Sequence, residues 1–123
     1  MTEIDDFDAS GWSYVPGTLD ANVIDAIAAY SGIDLNEIHL FSSLEDDLGL
    51  DDVDLLDLFN ETKQHVSFKK TDNPFERWID HALNDFSNGK QILKYHTVYD
   101  WIRKVCLGNP INKLSDGFPR QYL

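Results

Sequence analysis

Apolar positions recur at helical spacing in four stretches of the chain, and no stretch alternates convincingly enough to predict a strand. In the first, Val23, Ile24, Ile27 and Ala28 form a stripe that Tyr30 extends, predicting a helix over about residues 21–31. Asp20 stands where an N-cap is wanted, and Gly32 where a left-handed residue ends the helix. The stretch that follows lacks periodicity and reads as a long ordered loop pinned by Ile33, Leu35, Ile38, Leu40, Leu44 and Leu48. A second helix is predicted from Asp51 or Asp52 to about His65. Leu55, Leu56, Leu58, Phe59 and Val66 lie on its inner side, and Asp54, Asp57 and Glu61 face away.

The third stretch, "NPFERWIDHALNDF", carries the clearest signals. Asn73 is a cap, Pro74 takes the first helical position, and Glu76 follows the cap by three residues as in a capping box. Phe75, Trp78, Ile79, Ala82, Leu83 and Phe86 keep the helical period, and Asn88-Gly89 ends it. A last helix opens at Thr97, with Asp100 three residues on, and stops at Gly108 ahead of Pro110. Its inward set is Val98, Trp101, Ile102, Val105 and Cys106. The expectation is one all-α domain over residues 19–108. An irregular arm (residues 1–18, with Phe7, Trp12 and Tyr14) precedes it, and a tail (residues 109–123) follows.

Charge changes this picture more than composition does. Sixteen Asp and Glu and no Lys or Arg fall in residues 1–62, whereas residues 63–123 hold ten bases and six acids, for a net charge of −12. Such a field repels phosphates, so nucleic acid and anionic membranes are disfavoured partners and a basic protein surface is favoured. Solubility alone is the plainer explanation of the acidity. Eight carboxylates lie between Ser42 and Glu61. Those in the first turns of the second helix suit its dipole, at ~0.3–1 kcal/mol each. The helix dipole does not account for Glu45, Asp46 and Asp47. The single cysteine, Cys106, excludes an internal disulfide and fits a reducing compartment. No run approaches the ~20 apolar residues of a membrane span, and the acidic start does not resemble a signal peptide. A cytoplasmic protein is expected.

No catalytic or metal constellation emerges. With Gly49 as the glycine of a calcium loop, its first and fifth positions fall on Leu44 and Leu48, so the acidic run fails as an EF-hand. No two of His39, His65, His81 and His96 stand three or four residues apart, and Cys106 reads as a small core side chain. No enzyme, cofactor or metal is expected.

The stretch "AYSGIDLNEIHLFSSLEDDLGLDDVDLLDL" resembles acyl carrier protein: a first helix ending before Gly, an apolar-pinned loop, and "DLG" ahead of an acidic helix. "HTVYDWI" resembles the start of the carrier's last helix. The resemblance covers about residues 20–106. It implies an acyl-carrier-like four-helix bundle, with the region between helices II and IV enlarged by "SFKKTDNPFERWIDHALNDFSNGKQILK". In carriers the serine of "DSL" bears phosphopantetheine. Here the motif reads Asp51-Asp52-Val53, so Asp52 holds the serine position and offers no hydroxyl for the phosphodiester. In this respect the chain is closer to a small bacterial group of uncharacterised carrier-like proteins with "DD" and a small apolar residue there. Ser42 and Ser43 lie upstream and do not match the motif.

What the resemblance leaves is recognition. Carriers present an acidic second helix to Lys/Arg patches, and Asp54 and Asp57 match acidic recognition positions. The expected docking set is Asp47, Asp51, Asp52, Asp54, Asp57 and Glu61. Its partner would be a protein with a basic surface, such as a lipid- or polyketide-synthesis enzyme. Two other readings stay open: a working acyl or peptidyl carrier modified at a non-standard serine, and a small acidic regulator or inhibitor of an unrelated protein.

Overall fold

A computed structural model describes residues 12–68, 73–108, 114–115 and 117–118. Phe7 and most of residues 1–18 and 109–123, expected as arm and tail, lie outside the described residues. Four α-helices are present among them: α1 Leu19–Ser31, α2 Leu55–His65, α3 Pro74–Ser87 and α4 Val98–Gly108. One 3₁₀ turn, Leu35–Glu37, interrupts the long loop; a second, Asp52–Asp54, leads into α2; a third, Leu93–Tyr95, precedes α4. No strand occurs among the described residues, only a single antiparallel bridge between Ser43 and Thr97. Helix α1 packs chiefly on α2 and α3 on α4, while α1 also meets α4 and α2 meets α3. These contacts make an all-α helical bundle.

Local chemistry sets the helix ends. The Asn73 side chain accepts hydrogen bonds from the amides of Phe75 (2.9 Å) and Glu76 (3.4 Å), which opens α3. The same side chain donates to the Gly108 carbonyl at 3.4 Å, tying the start of α3 to the end of α4. A Cβ on Gly108 would collide with the Asn73 side-chain amide, so a larger residue there would have to displace the group that caps α3. At α4, Thr97 and Asp100 exchange bonds: the Thr97 amide donates to Asp100 (2.9 Å) and the Asp100 amide to the Thr97 hydroxyl (3.2 Å). Gly32 ends α1 at φ 77°, the left-handed conformation its position predicts.

The start of α1 differs from expectation. Thr18, not Asp20, is the N-cap, accepting from the Ala21 amide at 3.3 Å. Asp20 instead lies one residue inside the helix with 0% exposure. Its carboxylate receives the Trp12 indole N–H (2.7 Å), the Ser115 amide (2.9 Å) and the Ser115 hydroxyl (2.6 Å). Residues from both ends of the chain are thus gathered onto one turn of α1. Phe118 adds a ring stacked on Tyr99, centroids 5.2 Å apart.

The core joins all four helices to the long loop. Ile24, Ile27, Leu44, Leu55, Leu58, Phe75, Ile79, Trp101 and Ile102 are buried, and Ile38, Leu40 and Leu48 hold the loop as its apolar pins should. Backbone bonds stitch that loop to the start of α4: Leu44 N to His96 O, Val98 N to Ser42 O, and Tyr99 N to Leu40 O at 2.7 Å. Several inward assignments fail or weaken. Leu35 and Leu56 are exposed, and Ala28, Ile33, Trp78, Leu83, Phe86 and Cys106 are only half-buried. Leu56 sits about 100° around the helix from Leu55, and the buried side of α2 is fixed by Leu55, Leu58, Phe59 and Thr62. Thr62 was not expected inside. Its hydroxyl donates to Leu58 O and accepts the Trp101 indole N–H at 3.1 Å, which satisfies a buried tryptophan.

Candidate protein-docking face

The acidic run does two jobs at the start of α2. Asp51 is the N-cap: its carboxylate accepts from the Val53 amide (3.1 Å), and its own amide donates to Asp54 (3.0 Å), a reciprocal box. Asp54 also accepts the Tyr30 hydroxyl at 2.8 Å, with Asp57 3.5 Å from the same oxygen. The bond to Asp54, then desolvation, then the charges of Asp54 and Asp57 hold the phenol's proton, pushing the Tyr30 pKa from 10.0 up to about 12. In the preceding loop Asp47 accepts the Ser43 amide at 2.6 Å, so this acid also orders backbone.

Asp52 is placed differently from the rest of the expected docking set. Only 9% exposed, it turns its carboxylate inward, where one oxygen takes the Ile92 amide (2.8 Å) and the other the Leu93 amide (2.7 Å). Asp52 is therefore a staple between the start of α2 and the turn before α4. It is neither the cap nor a free surface charge. A cleft of about 250 Å³ opens beside it, bordered by Glu45, Val53, Phe86 and Lys90. Lys90 pairs with Asp85 at 3.7 Å on the surface.

Asp47, Asp51 and Asp57 are exposed, and Asp54 and Glu61 half-buried. Glu61 meets His65 at 3.1 Å, an i, i+4 contact. Among the described residues no Lys or Arg pairs with Asp47, Asp51, Asp54 or Asp57. Between these acids stand two apolar side chains that sequence reasoning did not assign to the face, Val53 at 69% and Leu56 at 46% exposure. They lie three residues apart and so share a side of the helix start. A helical wheel registered on Leu55 and Leu58 reveals Leu56. Counting all leucines as core obscures it.

Ser42 is buried and its hydroxyl accepts the His39 amide, while the Ser43 hydroxyl accepts the Asp46 amide. No three His, Cys, Asp or Glu side chains converge as metal ligands among the described residues.

Removing the Asp52 carboxylate should be costlier than removing a helix cap. Asp52→Ala leaves the buried Leu93 amide and the half-buried Ile92 amide without their acceptors, an expected loss of about 2–3 kcal/mol in urea unfolding. Asp52→Ser should lose nearly as much, because the shorter side chain cannot bridge both amides. A loss below about 0.5 kcal/mol would show that the two bonds do not hold the turn. Comparison with models of protein families, with curated proteins and with solved structures found no match to this chain.

Proposed function

We propose that the protein is an acyl-carrier-like binding module without phosphopantetheine, which docks its acidic α2 face on a basic surface of a partner protein. One observation supports this most: exposed Val53 and Leu56 stand among Asp47, Asp51, Asp54 and Asp57, carboxylates with no Lys or Arg partner among the described residues. Apolar contacts ringed by unneutralised charge suit an interface in which charge steers the encounter and the apolar centre holds the complex. The inward carboxylate of Asp52 is consistent with loss of the prosthetic arm, since the position is committed to the fold.

The test uses a lipid-synthesis enzyme that has a Lys/Arg-rich carrier-docking surface. Association should slow steeply with added salt, because exposed charges are screened within ~10 Å at about 0.1 M. Asp57→Asn should lower the association rate more than it raises dissociation, and Leu56→Ser should do the reverse. Asp57 serves better than Asp54, whose carboxylate accepts the Asp51 amide in the box that opens the turn into α2. Binding indifferent to salt and to both substitutions would remove this face as the interface. In parallel, incubation with a phosphopantetheinyl transferase and coenzyme A should leave the intact mass unchanged. A mass increment would favour the working-carrier reading instead.

A further inference from the structure

A second concave surface lies on α1, away from the chemistry assigned above. Trp12, Tyr14, Ile24, Leu35, Ile38 and His39 line a cleft of about 290 Å³. Tyr14 (37%) and Leu35 (42%) leave much of their apolar surface to solvent. Both aromatic side chains are fixed at their polar ends by carboxylates of α1. The Trp12 indole N–H donates to Asp20 at 2.7 Å and the Tyr14 hydroxyl to Asp25 at 2.7 Å. Their donors are thus already used, and what they offer a visitor is ring surface.

The charge around the cleft selects the visitor. Every lining residue comes from the part of the chain that holds sixteen acids and no Lys or Arg. Asp34 and Glu37 flank Leu35 in the 3₁₀ segment, and Asp25 stands behind Tyr14. Asp25 also pushes the Tyr14 pKa up to about 12, mainly by accepting its hydrogen bond and partly through its charge. A group with an apolar stem and a positive head meets both features, since aromatic rings attract cations and the surrounding carboxylates add to that field.

We propose that this cleft receives an arginine side chain of the partner protein, as an anchor separate from the α2 face. This rests on the reading of the protein as a module for a basic partner. The guanidinium is planar, weakly hydrated and able to lie on an aromatic ring, while Asn36 at the cleft provides an amide for its N–H groups. The aliphatic stem covers Leu35 and Ile38.

The probe is the peptide acetyl-Gly-Arg-Gly-amide, titrated against the isotope-labelled protein and read from the Trp12 indole N–H and the methyl groups of Ile24, Leu35 and Ile38. Saturable shifts at these positions are expected. The isosteric peptide with neutral citrulline in place of arginine should bind several-fold more weakly. Tyr14→Leu keeps apolar bulk and removes a ring, and should weaken the arginine peptide about two- to five-fold, the range of an exposed cation–π contact. Leu35→Ser, at an exposed position, provides a second variant if Tyr14→Leu fails to fold, and should also weaken binding. Asp57→Asn should leave the peptide shifts unchanged, so failure of the α2 face and failure of the cleft are read separately. Equal response to arginine and citrulline, no saturable shift, or indifference to the variants that fold would each overturn the proposal.

Discussion

Replacing Trp101 by alanine should lower the free energy of unfolding by about 3–5 kcal/mol. The side chain is 0% exposed, and its ring lies edge-on to Phe75 (centroids 5.3 Å, 90°) and to Trp78 (5.8 Å, 78°). Truncation leaves a cavity at the junction of α2, α3 and α4 and removes the indole N–H donor from the Thr62 hydroxyl, which keeps its own bond to Leu58 O. Trp101→Phe should recover most of the packing while losing that bond, leaving a deficit of about 1–2 kcal/mol. Trp78 makes a useful contrast. It is half-buried, with the Lys104 ammonium 5.3 Å from its ring centre, so Trp78→Ala should cost clearly less. Domains of this size are commonly stable by only about 5–15 kcal/mol, so the Trp101 loss should bring urea unfolding within easy reach of native conditions. Equal losses at the two tryptophans would show that the core is not organised around Trp101.

The second large effect is expected at Asp20. Its carboxylate is fully buried, and among the described residues no Lys or Arg pairs with it; three hydrogen-bond donors do the work of a counter-ion. Asp20→Ala leaves the buried Ser115 amide without its acceptor and the Ser115 hydroxyl with only the Thr18 hydroxyl, 3.2 Å away, while the half-buried Trp12 indole can turn toward water. With one group stranded and a second held by a longer bond, the loss should be about 2–4 kcal/mol. Asp20→Asn should recover little, because its amide group presents N–H to a site built of donors. The same variants should speed proteolytic cleavage near Ser115, where the chain is held to α1. Unchanged stability together with unchanged cleavage would mean that the carboxylate does not fasten the chain ends.

Features whose cause spans three or four residues were legible in the sequence. Asn73-Pro74 opening α3, the Thr97 and Asp100 exchange opening α4, and Gly32 closing α1 all satisfy backbone groups within one turn, so their positions suffice to predict them. The all-α class followed from apolar periodicity for the same reason. The acidity of α2 was partly legible too: Asp51 and Asp54 bond backbone at the helix start, where short acidic side chains belong.

The sequence by itself determined where helices form and that one half of the chain is uniformly acidic. Only the tertiary structure decided which acids are surface and which are structural. Asp20 reaches Ser115 across 95 positions and Asp52 reaches Ile92 and Leu93 across 40 and 41, and both are held by donors that no local pattern announces. Likewise Leu35 and Leu56 have the composition of core residues and the exposure of surface ones, because a helix or loop buries the side its neighbours cover. Periodicity marks an apolar stripe, but where that stripe ends depends on which elements pack against it, and that is settled by contacts between distant parts of the chain.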